Sequence, residues 1–212
     1  MAQEKFLLIC QLGMGLFWII TYILIIKQGF KDKKYGMPMA AICANISWEF
    51  IFAFMYPQND LQRMITFLWF MLDIIIMMQY LRYGHKEYRK LIPSKIFYAS
   101  FSITLGASFF IILAMMHEFN DIAGKYAAFS QNLMMSGLFI ALLLQRGNLR
   151  GQSMSIAVCK MLGTVFAAVG FYMYLRTPLV TIISLATLFY DGLYIVLIYR
   201  LYRKKIFLPK IR

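Results

Sequence analysis

The chain has 212 residues, of which 61% are hydrophobic and only 15% charged, a balance that excludes an ordinary water-soluble domain and points to a protein dissolved in lipid. Its formal net charge of +13 would suit a nucleic-acid partner if the basic residues formed one patch. They are spread over short connecting segments instead, so no nucleic-acid partner is expected.

Seven apolar runs follow in chain order, at 6–26, 37–56, 64–81, 96–116, 126–145, 154–175 and 178–200. Each has the roughly 17 to 25 residues that a helix needs to cross a hydrocarbon core about 30 Å thick. The expected fold is all-α: a polytopic membrane protein, a seven-transmembrane-helix bundle forming one domain over 1–212. No small-residue cleavage pattern follows the first run, which is therefore read as a retained span rather than a signal peptide. The polar connections are "KQGFKDKKYG", "RYGHKEYRKLIPSK" and the C-terminal "RLYRKKIFLPKIR". Segments after the first, third, fifth and seventh spans carry 17 Lys and Arg, against four on the other side, Lys5, Arg63, Lys125 and Arg176. By the positive-inside rule the amino terminus faces outward and the carboxyl terminus lies in the cytoplasm. The basic surplus then reflects topology and attraction to the headgroups of membrane lipids. Asp73 with Arg82, and Asp191 with Arg200, share one spacing in two parallel spans, a hint that the first three spans repeat in the last three.

Cys10, Cys43 and Cys159 fall inside spans without CxxC spacing and are read as small packing residues. His85 and His117 lie in loops on opposite sides, which argues against a shared metal site. The sequence has no Gly-rich phosphate loop, no GxSxG and no DDxxD-type cluster for magnesium diphosphate.

The stretch "CANISWEFIFAFMY" places Glu49 in the middle of a run that otherwise reads as lipid-soluble helix. Three more ionisable residues lie deep in spans: Asp73 in the third, Lys160 in the sixth and Asp191 in the seventh. Three acids then face one base, and burying that surplus charge in a low dielectric is so costly that a carboxyl group should keep its proton. Helical spacing surrounds Glu49 with Asn45, Trp48, Phe52 and Tyr56, and Asp191 with Ser184, Thr187 and Tyr194. Asp73 has Trp69 one turn before it, the fifth span offers Asn132 and Ser136, and the sixth offers Lys160 with Gly163 and Thr164. Ser136, Thr164, Ser184 and Thr187 also read as interhelical glue. Asp73 reads equally as the structural partner of Lys160 or of a Trp indole, and Lys160 as a side chain snorkelling to the cytoplasmic end. Glu49 and Asp191 have no obvious local cation and are the acids expected to act chemically.

Seven short helices with buried acids also suit a small carrier of the sugar-efflux or PQ-loop type, in which the acids would couple transport to protons. The Pro57-Gln58 pair belongs to that pattern, yet it has no second copy in the later half. A non-catalytic membrane partner is the third class.

"NISWEFIF", "LWFMLD", "SQNLMMSGLFIALLLQRGNLRGQS", "CKMLGT" and "FYDGLYI" occur in this order along nearly the whole chain. Together they resemble the integral-membrane cyclases of fungal meroterpenoid and indole-diterpene biosynthesis and their shorter bacterial relatives. The resemblance implies a terpene cyclase that starts by protonation, uses no metal or other cofactor, and acts on the prenyl tail of a larger lipophilic molecule, often a terminal epoxide. It implies catalytic roles for Glu49 and Asp191. Asp73, Asn132, Ser136, Lys160 and Thr164 fall in matching motifs and are expected to line the substrate site with Asn45. Trp48, Phe52, Trp69, Tyr190 and Tyr194 are expected to stabilise the carbocation through their π faces. The resemblance to the bacterial relatives implies a multi-pass place in a bacterial cytoplasmic membrane.

Overall fold

The computed structural model describes residues 2–207, and within them the chain is helical throughout, with no strand. The elements are α1 (Ala2–Asp32), α2 (Met39–Phe50) running into a π-helical turn (Ile51–Met55), and α3 (Asp60–Gln79) running into a second π turn (Tyr80–Gly84). They continue with the short α4 (His85–Tyr88), α5 (Ser94–Glu118), α6 (Lys125–Arg146), α7 (Met154–Leu175) and α8 (Pro178–Phe207). All seven expected spans are present: six helices are long and apolar enough to cross a membrane, and the shorter Met39–Met55 is the seventh. The basic tail beyond Phe207, which enters the charge count above, lies outside the described residues.

Local chemistry sets the breaks. Pro38 and Pro93 precede α2 and α5 with φ −65° and −60°, a place where proline's missing N–H costs no intrahelical hydrogen bond. The Asn59 side chain accepts from the Gln62 amide at 2.9 Å to cap α3, and Ser153 accepts from the Ile156 amide at 3.3 Å to cap α7. Gly147, with φ 60°, closes α6 as only glycine does without strain.

The exterior is greasy. Ile103 is 72% exposed, Phe110 69% and Phe189 68%, which would be an aggregation hazard in water and is the expected surface against acyl chains. By contrast α2 is buried from Ala41 to Glu49 without a gap and packs on α3, α5 and α6. It is the axis of the bundle. The α1 helix packs most extensively on α7 and also on α3, while α8 packs on α6 and α7. The α1–α7 approach depends on Gly163, where a Cβ would stand 2.9 Å from the Trp18 ring.

The segments after α1, α3 and α6 converge at one end. Glu87 is bound there by Lys34 at 3.0 Å and by Arg146 at 3.2 Å. The Arg146 guanidinium lies over the Tyr35 ring at 4.2 Å and donates to the Tyr35 carbonyl at 2.8 Å. Asp32 accepts from the Gly151 amide at 2.7 Å. Basic residues that the charge count assigns to one side of the membrane therefore do share one end of the bundle.

Candidate active site

A cavity of about 120 Å³ opens among α1, α2, α3, α6 and α7. Trp18 and Tyr22 come from α1, Asn45, Trp48 and Glu49 from α2, Trp69 from α3, and Phe129 and Asn132 from α6. These residues make an aromatic chamber with a carboxyl group in its wall. All three tryptophans of the protein line it.

Two interactions hold the wall in place. The Trp48 indole donates to the Gly124 carbonyl at 2.9 Å, and the Trp69 indole donates to the Gly15 carbonyl at 3.4 Å. Phe52 does not line the cavity; its ring lies 4.6 Å from that of Trp48 and backs it. Gly124, at φ 63°, presses so closely on Phe52 that an added Cβ would run into the ring. Gly124→Ala is accordingly expected to destabilise the protein by about 3 kcal/mol, from the left-handed backbone and the overpacking together, read as a lower unfolding temperature in detergent.

Glu49 is 2% exposed. Its Oε1 accepts from the Tyr22 hydroxyl at 3.0 Å, and that hydroxyl accepts from Asn45 Nδ2 at 2.6 Å. Its Oε2 accepts from no donor among the described residues. Asp73, fully buried on α3, lies against Glu49 and Asn45, and neither of its oxygens takes a well-formed hydrogen bond. Neither carboxyl group has a cation as partner among the described ion pairs.

Asp191 is different. Lys160 donates to its Oδ1 at 2.6 Å, Ser136 to the same oxygen at 2.8 Å, and Thr164 to its Oδ2 at 3.0 Å. Lys160 also reaches Ser136 at 2.6 Å and Asn132 Oδ1 at 3.3 Å, and Asn132 Nδ2 donates to Thr164 at 3.1 Å. This network lies behind Asn132, one layer removed from the chamber. Its ammonium sits 5.6 Å over the Trp18 ring.

Several expectations are corrected by this geometry. Asp191 does have a local cation, Lys160. Lys160 is wholly buried and ion-paired instead of snorkelling, because Asp191, Ser136 and Asn132 surround its ammonium. Asp73 partners neither Lys160 nor an indole: Asp191 on α8 takes the lysine, and the Trp48 and Trp69 indoles donate to backbone carbonyls. Of the expected lining residues, Asn45, Trp48, Trp69 and Asn132 reach the cavity with Glu49; Asp73, Ser136, Lys160, Thr164 and Asp191 stand behind it. Tyr194 is buried against Phe139, ring centres 5.7 Å apart, near Asp191. Tyr190 is 39% exposed and points out of the bundle: one residue before an inward Asp191, it is turned about 100° round the helix. Trp18, Tyr22, Phe129 and Phe171 were missed by sequence reasoning; the i,i+4 spacing of Trp18 and Tyr22 is the signal that marks one face of α1.

The chain belongs to the Pyr4-like transmembrane terpene cyclases, whose family model matches residues 2–204. It is 32% identical over 165 residues to the Pyr4-family terpene cyclase mfmH of Annulohypoxylon moriforme, covering 76% of this chain and 66% of that one. It is 32% identical over 164 residues to the terpene cyclase macJ of Penicillium terrestre, covering 74% and 63%. With the terpene cyclase paxB of Penicillium paxilli it shares 27% over 196 residues, covering 86% and 80%. The chain thus matches slightly under two thirds of the length of mfmH and macJ. No solved structure matches it. Family membership leaves the carrier reading without support, and because these relatives are fungal they lend none to a bacterial membrane.

Proposed function

We propose that the protein is a membrane-embedded cyclase that protonates the prenyl tail of a lipophilic meroterpenoid-like substrate, at an alkene or a terminal epoxide, and steers the resulting carbocation through ring closure. The observation that carries this reading is the Glu49–Asp73 pair, two adjacent carboxyl groups without a cation partner among the described residues, of which Glu49 lines a tryptophan-walled chamber and Asp73 stands behind it. Two adjacent negative charges in a low dielectric repel strongly, so the pair holds one proton between them, and Glu49, the member lining the cavity, delivers it.

The other residues take roles suited to their places. Tyr22 and Asn45 fix the Glu49 carboxyl through hydrogen bonds. Trp18, Trp48 and Trp69 present π faces to a migrating positive charge. The aliphatic and aromatic wall holds the tail folded, with successive double bonds in reach, and keeps water from capturing the cation. Asp191, saturated by Lys160, Ser136 and Thr164, has no free proton to give; it is a positioning residue that fixes Asn132 and holds Lys160 under Trp18. The proton comes from a side chain, so the proposal calls on no metal ion. Loss of a proton or attack by a substrate hydroxyl ends the sequence.

The test is to feed membranes carrying the full chain with a prenylated phenol and with its terminal epoxide. A cyclised product of unchanged mass is the expected result by chromatography and mass spectrometry. Recovery of both substrates intact, from membranes in which the protein is folded, would overturn the reading.

A further inference from the structure

The chamber is not uniformly apolar. Towards the α5–α6 loop it widens into a vestibule of about 550 Å³, with Met14, Gln58, Gln62, Lys125 and Phe171 lining both spaces. Four glutamines gather along this passage: Gln58, Gln62 and Gln131 on the cavity wall, and Gln11 in the vestibule. Gln11 Nε2 donates to Gln62 Oε1 at 3.0 Å, Gln62 Nε2 donates to Thr66 at 3.3 Å, and Gln58 Nε2 donates to the Ala123 carbonyl at 2.8 Å. Those bonds orient the amides. Gln131 is unlike the others: its Oε1 is buried and accepts no hydrogen bond among the described residues. A buried carbonyl left unpaired is costly, and a donor on a bound molecule would relieve that cost.

We propose that this amide collar of Gln58, Gln62 and Gln131, braced by Gln11, is the subsite for an uncharged polar ring bearing both hydroxyl and carbonyl groups, at the head of the tail that reaches Glu49. The inference rests on the cyclase reading above and adds to it the chemistry and placement of the head group. Primary amides donate and accept at once, so they match a ring that does the same and do not ionise it. Lys125 is the single cation lining the cavity among the described residues, and Asp121 lies 3.7 Å from it. A diphosphate, which wants several cations, is therefore a poor occupant.

Spacing fixes the polarity of binding. Gln11, in the vestibule, and Tyr22, which holds Glu49, lie eleven residues apart on α1, roughly 16 Å along its axis. The ring and the acid thus occupy opposite ends of the passage, and the far end of the tail meets the proton.

The three cavity tryptophans supply the measurement. Purified protein in lipid nanodiscs is titrated with two unreactive quenchers: a phenol bearing a meta acyl group and a saturated isoprenoid chain, which stays uncharged at neutral pH, and the same chain ending in bromine in place of the ring. Gln62→Leu and Gln131→Leu are each expected to weaken the ringed probe about tenfold and the bromide less than about twofold. Gln131→Leu is also expected not to lower the unfolding temperature, because its Oε1 makes no bond to lose; weaker ring binding then cannot be blamed on misfolding. Equal effects on both probes, or none on either, would overturn the collar assignment. Since neither probe reacts, the result stands apart from whether the protein cyclises anything.

Discussion

Glu49→Gln is expected to leave a protein that folds, inserts and binds its substrate, yet cyclises it at least about 100-fold more slowly. The amide oxygen of glutamine can still accept from Tyr22, as Glu49 Oε1 does at 3.0 Å. Its amide nitrogen would face the buried Asp73, whose oxygens now lack a well-formed donor, so the change should cost the fold little. Only the transferable proton is removed. The measurement pairs turnover of a prenylated epoxide with tryptophan quenching by an unreactive analogue. Turnover equal to the unmodified protein, with binding intact, would remove Glu49 from the chemistry.

Lys160→Met is expected to destabilise the bundle by about 3–5 kcal/mol, the largest effect on stability of any single change considered. Lys160 and Asp191 are each 1% exposed at the side chain and meet at 2.6 Å. Removing the lysine strands a carboxylate that then depends on Ser136 and Thr164 alone. Lys160→Met with Asp191→Leu removes both charges, and the pair of changes is expected to return stability close to its starting value, since replacing a whole buried ion pair by apolar residues is commonly neutral or better. Unfolding temperatures of the single and double variants in one detergent decide the matter. A single variant as stable as the parent would show that Asp191 sheds its charge at no cost.

The spans were legible because lipid imposes a simple rule, about 20 apolar residues per crossing, and the chain obeys it. Glu49 was legible for the same reason: a lone acid stands out in such a run. What the sequence withheld was partnership. Asp73 and Asp191 each sit one helix away from a candidate partner, and only the packing order, with α8 against α7 and α3 against α2, gives Lys160 to Asp191 and leaves Asp73 with Glu49. The aromatic wall was half legible. Helical spacing groups Trp48 with Glu49 correctly, because both are on one helix, but it carries no sign telling which face is inward, and so it sets Tyr190 inside and does not single out Trp18 and Tyr22. Gln58, Gln62 and Gln131 gave no periodic signal, since Gln58 lies in the connection before α3, Gln62 on α3 and Gln131 on α6, and they meet only in three dimensions.

The enclosure of α2 has a bearing on how such a bundle can diversify. A helix that touches acyl chains must stay oily or leave the bilayer, but α2 meets mostly protein, and so Asn45, Ser47 and Glu49 are screened by neighbours instead of by solvent preference. Its sequence is answerable to fit and hydrogen bonding, while the peripheral helices carry the burden of insertion. New chemistry can therefore be tried along that central rod without putting residence in the membrane at risk.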